Sequence, residues 1–288
     1  MGRAPHDWSL LYAARRGKSR VGRVTLVTEE VEPGVIRLAF SGWRGRAVGY
    51  VVSAYVIDGV LIDTAYPAVE DELSAAVTAL APRGAIVTHW HEDHAGNVGA
   101  LVARGLPVHM HPHGEAALRS LKPLRFYRRF TWGSNRRLDV ALRNFDVSPL
   151  QVIATPGHTD DHIAVWHPER RIVATGDLFI GVKVRVAHGD ESPRAIIASL
   201  RMVMALEPRL LLDAHRGVVR NPVPVLAAKI EWMEETIGAI TALAGEGYSE
   251  REIRRQVLGR ESAVGWVSRG EYSKRALVRS VLRDRTRP

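Results

Sequence analysis

Thr88-His89-Trp90-His91-Glu92-Asp93-His94 is the stretch on which the reading of this chain turns. The predicted strand Ala85–Thr88 is short and apolar and ends at His89. A strand places alternate side chains on one face, so His89 and His91 leave its end pointing the same way. A turn directly after the strand brings Asp93 and His94 to the same spot. Three imidazoles and one carboxylate gathered at a strand end make a metal site, because α/β folds place their sites at the carboxyl ends of strands.

Three similar features lie downstream. Thr155-Pro156-Gly157-His158-Thr159 sets a histidine just after the predicted strand Leu150–Thr155. Thr175-Gly176-Asp177 does the same with an aspartate after Arg171–Thr175, and Ala214-His215 follows Leu210–Asp213. The chain contains no cysteine, so thiolate ligands, disulfides and a cysteine nucleophile are excluded. Any metal rests on imidazole and carboxylate, which borderline ions such as zinc accept.

The rest of the core alternates strand-like and helix-like segments, the pattern of packed α/β layers. Gly49–Ile57 and Val60–Ile62 are apolar runs joined by Asp58-Gly59, a hairpin signal. Val69–Leu80 and Pro193–Leu206 read as helices, with another from about Ala95. Pro107–His111 and Ile163–Trp166 read as strands. Leu121–Asp139 is aromatic and basic without clear periodicity, a loop or a helical insertion.

Beyond His215 the pattern becomes helical. Asn221-Pro222 predicts a helix start. Leu226, Ile230, Met233, Ile237, Ile240 and Leu243 then recur at spacings of four and three, one apolar face of a long helix. Ser249 and Glu252 form a capping-box pattern, Gly259 and Gly265 predict breaks, and Ser273 predicts the cap of a last helix. The expected organisation is a basic arm over 1–23, a catalytic domain over 24–221 and a helical domain over 222–288.

Taken together, His89, His91, Asp93, His94, His158, Asp177 and His215, in this order along residues 24–219, resemble the metallo-β-lactamase fold superfamily. The resemblance implies an α/β fold, an αββα sandwich with the metals at one edge. It implies one metal on His89, His91 and His158, a second on Asp93, His94 and His215, and Asp177 bridging them. A hydroxide between two divalent ions is then the nucleophile, with Asp93, His89, His91 and His94 carrying the chemistry. Zinc is the first expectation for both ions, and manganese and iron accept the same donors. Asp63 matches a position that in this family lies behind the ligands and orients one of them. His162, three residues past Thr159, is a candidate for a similar supporting role.

Within the superfamily, Pro156-Gly157-His158-Thr159-Asp160-Asp161-His162 is most similar to the branch holding hydroxyacylglutathione hydrolases and small endoribonuclease-like proteins. So is a helical unit after the last histidine, which there resembles a winged-helix-like module. His91 argues against oxygen-reducing di-iron members, which usually carry a carboxylate at that place. Two other readings stay open: an RNA-processing or nucleic-acid-binding protein using a basic C-terminal module, and a mononuclear-iron persulfide dioxygenase. No G-x-G-x-x-G dinucleotide fingerprint is present.

The net charge of +9 is unevenly spread: residues 122–143 hold seven basic side chains and one acid. Tyr127 lies among Arg125, Arg128 and Arg129, and this segment is either a substrate wall suited to a small anionic substrate or a solvated lid. His109, His111 and His113 also alternate, but they lack a carboxylate partner and are set aside. Neither a membrane-spanning run nor an apolar stretch of signal-peptide length is evident, so a cytoplasmic location is expected. Scarce Asn and Gln with 35 Arg against 5 Lys fit either heat adaptation or a GC-rich genome.

Overall fold

The computed structural model describes residues 25–42, 50–121 and 123–284. The expected basic arm and residue Gly49 fall outside them. A six-stranded sheet runs in chain order: β1 (Thr25–Glu32), β2 (Val35–Ser41), β3 (Val52–Ile57), β4 (Val60–Ile62), β5 (Gly84–Val87) and β6 (Val108–Met110). Its first four strands pair antiparallel, and β4, β5 and β6 pair parallel. Asp58 and Gly59 both take positive φ, +46° and +76°, closing the expected hairpin between β3 and β4.

The parallel pairs need crossovers, and helices supply them. α1 (Glu70–Leu80) links β4 to β5, and its first turn holds Glu70, Asp71 and Glu72, which suit the positive end of the helix dipole. After β5 the chain turns helical inside the histidine motif, as α2 (Glu92–Ala95) and α3 (Val98–Ala103). α4 (Pro112–Arg119) follows β6, and the aromatic-basic stretch contains one short helix, α5 (Phe126–Trp132).

The second sheet contains β7 (Gln151–Ala154), β8 (Ile163–His167), β9 (Ile172–Ala174), β11 (Leu210–Asp213) and β12 (Gly217–Arg220), in the order β12-β11-β9-β8-β7. β10 (Ala187–His188) stands outside it. α6 (Pro193–Ala205) and the long α7 (Val223–Gly245) cover its outer face.

Three apolar layers follow from this arrangement. Tyr55, Ile57, Val60, Ile62 and Ile86 of the first sheet meet Ile163, Val165, Ile172, Leu210 and Leu212 of the second. Strands buried on both faces read as continuous apolar runs, which is how β5 and β11 read. Leu38, Phe40, Val56 and Leu61 point the other way, against Leu73 of α1 and Leu101 of α3. Trp166, Val173 and Leu211 pack against Ile197 and Leu200 of α6 and Leu226, Ile230 and Met233 of α7. The result is the αββα sandwich.

The C-terminal segment adds α8 (Glu250–Ile253), α9 (Ala263–Val267), β13 (Tyr272–Ser273) and α10 (Lys274–Asp284). Ile240 of α7 joins Ile253, Leu277, Val278 and Val281 in a separate apolar cluster. The single face read along α7 therefore serves two clusters, the sandwich with its first half and the C-terminal helices with its second. β13 pairs with β10, which ties the segment to the connection between β9 and α6.

Two local expectations fail. Asn221 does not cap α7: it takes a left-handed φ of +50° and donates its N–H to Arg209, and Pro222 occupies the cap position. Gly265 does not break a helix: it sits inside α9 and donates to the capping Ser262, where a Cβ would collide with Glu261. The Ser249–Glu252 capping box is present, and Ser273 Oγ accepts from Ala276 N at 2.9 Å.

Lys229 lies on the buried face of α7, 4% exposed. Burial lowers its pKa from 10.5 to about 8, against the opposing pull of Asp213, Glu191 and Asp177. The unfolded chain binds this proton more tightly, so the residue costs stability below pH 8, and the cost fades as pH rises toward 10.5. Lys229→Met is predicted to stabilise the metal-free protein at pH 7 by up to about 3 kcal/mol. In urea titrations the difference from wild type should shrink between pH 8 and 10.5. A pH-independent difference would mean that the ammonium is not the cause.

Candidate metal centre

Four chain segments leave the two sheets at the same edge: the ends of β5, β7, β9 and β11. Backbone bonds hold that edge shut. Ile163 N donates to Thr88 O at 2.9 Å, joining the sheets, and Ser53 N donates to Ala214 O at 2.7 Å. The seven side chains picked from the sequence meet there, each no more than 8% exposed among His89, His91, Asp93, His94, His158 and Asp177.

Their donor atoms fall into two groups. His89, His91, His158 and Asp177 form one, and Asp93, His94 and His215 the other, with the atoms of each group within 4.8 Å of one another. Asp177 touches both. Its Oδ1 is 2.9 Å from His215 Nε2 and 3.1 Å from His94 Nε2, and its Oδ2 is 3.4 Å from His158 Nε2. His91 Nδ1 is 3.0 Å from His158 Nε2, and Asp93 Oδ2 is 3.6 Å from His215 Nε2.

Divalent ions fit this arrangement. His89 Nε2, His94 Nε2, His215 Nε2 and Asp177 Oδ1 are buried without a hydrogen bond of acceptable geometry. Buried polar atoms without partners cost roughly 1–3 kcal/mol each, and an ion at each donor group would satisfy them, His89 in one and His94 and His215 in the other. The charges agree. Burial and the neighbouring histidines push His89 and His91 well down, which keeps them neutral with a free lone pair. Burial also works against a charged His94 and His215, but Asp177 overrides it, holding His94 well up and His215 at about 9. Asp177 stays ionised despite its burial because His215 and His94 face it.

A layer of partners fixes the donors. Asp63, at a left-handed φ of +62°, accepts from Thr88 N at 2.7 Å and Thr88 Oγ1 at 3.0 Å. Its Oδ2 also lies 2.8 Å from His94 Nδ1. One carboxylate thus sets both the end of β5 and the ring of His94. His162 Nε2 accepts from Asp177 N at 3.2 Å, so that nitrogen carries no proton, and Nδ1 directs its own toward Thr155 Oγ1 at 2.8 Å. Burial, with His158 nearby, keeps His162 neutral by lowering its pKa to about 3.

Sequence reading missed three participants. Asp213, fully buried at the end of β11, accepts from His215 N, Arg216 N and Ile180 N at 2.8, 2.7 and 2.8 Å. It orients His215 and holds the loop after Asp177; a strand-end acid two residues before a ligand was the available signal. Glu191 Oε1 lies 3.4 Å from His158 Nδ1. Glu92, passed over as a spacer within the motif, is buried and bound at 2.5 Å through both carboxylate oxygens by Arg128.

That pair changes the role of the basic segment. Arg128 is only 11% exposed and also reaches Glu271 at 3.2 Å, so its guanidinium clamps α5 to the motif helix and to the C-terminal segment. Arg125 pairs with Glu271 from the rim and is half exposed. Both arginines line an open basin that reaches Trp90 and His91. Tyr127 does not line it; its hydroxyl is buried, and its pKa is raised by burial and Glu271. His111 accepts from His113 N at the start of α4, and neither residue nor His109 belongs to the two donor groups.

A second pocket borders the centre from the other side. Asp177 and His158 form its floor, and Trp232, Met233, Ile237 and Leu277 its apolar wall. The β10–β13 ribbon separates it from the basin, with His188 stacked on Tyr272 at 4.7 Å.

Residues 47–215 match the family model described as the metallo-beta-lactamase superfamily. The chain is 27% identical over 181 residues to a beta-lactamase-like protein 2 homolog of Caenorhabditis elegans, covering 60% of this chain and 57% of that protein. It is 28% identical over 265 residues to an atrochrysone carboxyl ACP thioesterase of Aspergillus chevalieri, covering 88% of this chain and 74% of that one. The chain spans 57% and 61% of the first two curated relatives it matches. Among solved structures, a metallo-beta-lactamase family protein of Thermus thermophilus superposes with a TM-score of 0.57 at 17% identity, each chain 90% covered. That likeness concerns the fold.

Removing the carboxylate behind His94 should loosen a metal without unfolding the sandwich. Asp63→Ala is predicted to weaken zinc binding by roughly 10–100-fold, read by competition with a chromophoric chelator. Wild-type affinity in a folded Asp63→Ala protein would remove Asp63 from the account.

Proposed function

The chain belongs to the metallo-β-lactamase superfamily, and from that premise we propose that it is a dinuclear metal-dependent hydrolase of esters and thioesters. The observation that carries this reading is the pair of donor groups sharing one buried carboxylate, Asp177. His89, His91 and His158 would hold one ion, Asp93, His94 and His215 the other, with Asp177 between them. Zinc suits the donors best, and manganese or iron is accommodated by the same set. Two such ions supply hydroxide near neutral pH and polarise the oxygen of a carbonyl or phosphoryl group.

The chain's own residues do the rest. Asp63, Asp213 and His162 hold His94, His215 and Asp177 in place, so the donors need no rearrangement on binding. Neutral His89 and His91 keep their lone pairs free of protons at pH 7. Asp93 makes the longest donor contacts of the second group, at 3.6 Å to His215 and 4.0 Å to His94. The Arg128 clamp on Glu92 keeps the basin open beside His91, and the apolar pocket beyond Asp177 keeps water away from one side of the centre.

The thioester preference draws support from the relatives named as ACP thioesterases, one of which aligns over most of this chain. Lactones and phosphodiesters remain within reach of the same chemistry, with selectivity set by the pocket walls. The C-terminal segment closes the apolar pocket through Tyr272, Leu277 and Val281, and we assign it that role in preference to nucleic-acid binding.

A panel of S-lactoylglutathione, a carrier-type thioester of N-acetylcysteamine, a lactone, bis-p-nitrophenyl phosphate and structured RNA tests the reading. Zinc-loaded protein is expected to cleave at least one thioester or ester, with about 10³-fold or greater loss in Asp93→Ala. Oxygen uptake with glutathione persulfide and no hydrolysis of the panel would replace it with the iron dioxygenase reading.

A further inference from the structure

Tyr272 is gripped from both sides. Its partner in the β10–β13 pairing is His188. On the other side Tyr272 N donates to Ser268 Oγ at 3.1 Å, and the proton of that hydroxyl is in reach of Tyr272 O, also at 3.1 Å. Ser268 is 1% exposed, so water does not compete for these bonds. The preceding residue, Glu271, is tied to Arg128 and through it to Glu92 of the histidine motif.

The ring is as well placed as the backbone. It stacks on His188 at 4.7 Å, with 29° between the planes. His188 in turn lies 5.4 Å from His91 and 6.3 Å from His158, centroid to centroid, so Tyr272 stands one ring away from the first donor group. Tyr272 also borders the pocket floored by His158 and Asp177. Burial, then Glu191, Asp177 and Asp93, hold the proton on its hydroxyl, so at neutral pH the phenol is a donor. Among the described residues nothing bonds to this hydroxyl, and it is not one of the sealed polar atoms. A phenylalanine would stack on His188 and fill the same wall, so packing does not account for the oxygen.

We propose that the Tyr272 hydroxyl is a catalytic hydrogen-bond donor to the reacting carbonyl oxygen of the substrate, so that the C-terminal segment completes the active site. This rests on the hydrolase reading above and adds to it a residue outside the two donor groups. When hydroxide adds to the carbonyl carbon, the π pair of the C=O bond moves onto the oxygen, which becomes an anion. The pair returns as the C–S or C–O bond breaks, and the leaving sulfur or oxygen takes a proton from water, which restores the hydroxide. A donor already in place meets the charge as it forms, at no cost in rearrangement. The pairing with β10 and the bonds to Ser268 supply that placement.

The test compares wild type with Tyr272→Phe, both zinc-loaded, on 4-nitrophenyl acetate and the acetyl thioester of N-acetylcysteamine. A contact made only in the transition state predicts that kcat and kcat/KM fall together by roughly 10²-fold on both substrates. Zinc affinity should not change, because Tyr272 belongs to neither donor group. A second readout needs no turnover. 4-Nitrophenyl methylphosphonate carries a tetrahedral anionic centre, and calorimetry should show it binding about tenfold more weakly to Tyr272→Phe. Circular dichroism checks that the variant is folded. Retained kcat with unchanged phosphonate affinity would overturn the proposal and leave the hydrolase reading intact. So would a loss confined to KM, or one traced to lost zinc. A wild type that cleaves neither these substrates nor the rest of the panel would overturn both.

Discussion

The centre depends on one buried carboxylate. Asp177 contacts histidines of both donor groups, and it can do so only because four strand ends arrive at one edge. The sandwich supplies that edge. Interdigitating apolar side chains fix the distance between the sheets, and the bond from Ile163 to Thr88 fixes their offset at the site. A one-residue slip of β5 in its pairing would swap Ile86 with Ala85 and Val87 between the two apolar layers and turn His89 away from the other donors. The metal chemistry thus rests on packing that contains no metal-binding residue.

The partners behind the donors show how tightly the positions are held. Asp63 and Asp213 each sit at a strand end and each accept three contacts, many from backbone N–H groups. Burial raises the pKa of Asp213, against the pull of His215 and the backbone donors. His162 completes the set by binding the backbone of Asp177 itself. Such a frame presents donors in place before any ion arrives, which suits a site acting on many substrates through the same atoms. Discrimination then falls to the walls: an arginine-lined basin on the His91 side and an apolar pocket with one buried cation on the Asp177 side.

Much of this was legible in the chain. His89, His91, Asp93 and His94 announce themselves because strand alternation followed by a turn has a fixed spacing, and His158, Asp177 and His215 because each follows an apolar strand. The strands β5, β9 and β11 were read nearly to the residue, since burial on both faces leaves little but aliphatic side chains. Less was visible where partners are distant in sequence. Glu92 and Arg128 are 36 residues apart and look like unrelated surface charges until α5 folds over the motif. β1 is exposed through its middle four residues and so carries no buried face to read, whereas β2 does alternate, with Ile36, Leu38 and Phe40 inward. Asn221 was misread because its bond to Arg209 comes from the pairing of β11 and β12, and Gly265 because the capping Ser262 just before it starts a new helix in which a glycine fits.

The central claim is that these seven side chains hold two ions about one shared carboxylate. Anomalous diffraction at the zinc edge, from a crystal grown with zinc, tests it most directly. The account predicts two peaks about 3.5–4 Å apart, one among His89, His91 and His158, the other among Asp93, His94 and His215, with Asp177 touching both. A single peak at full occupancy under zinc-replete conditions, or a second peak outside this cluster, would contradict it.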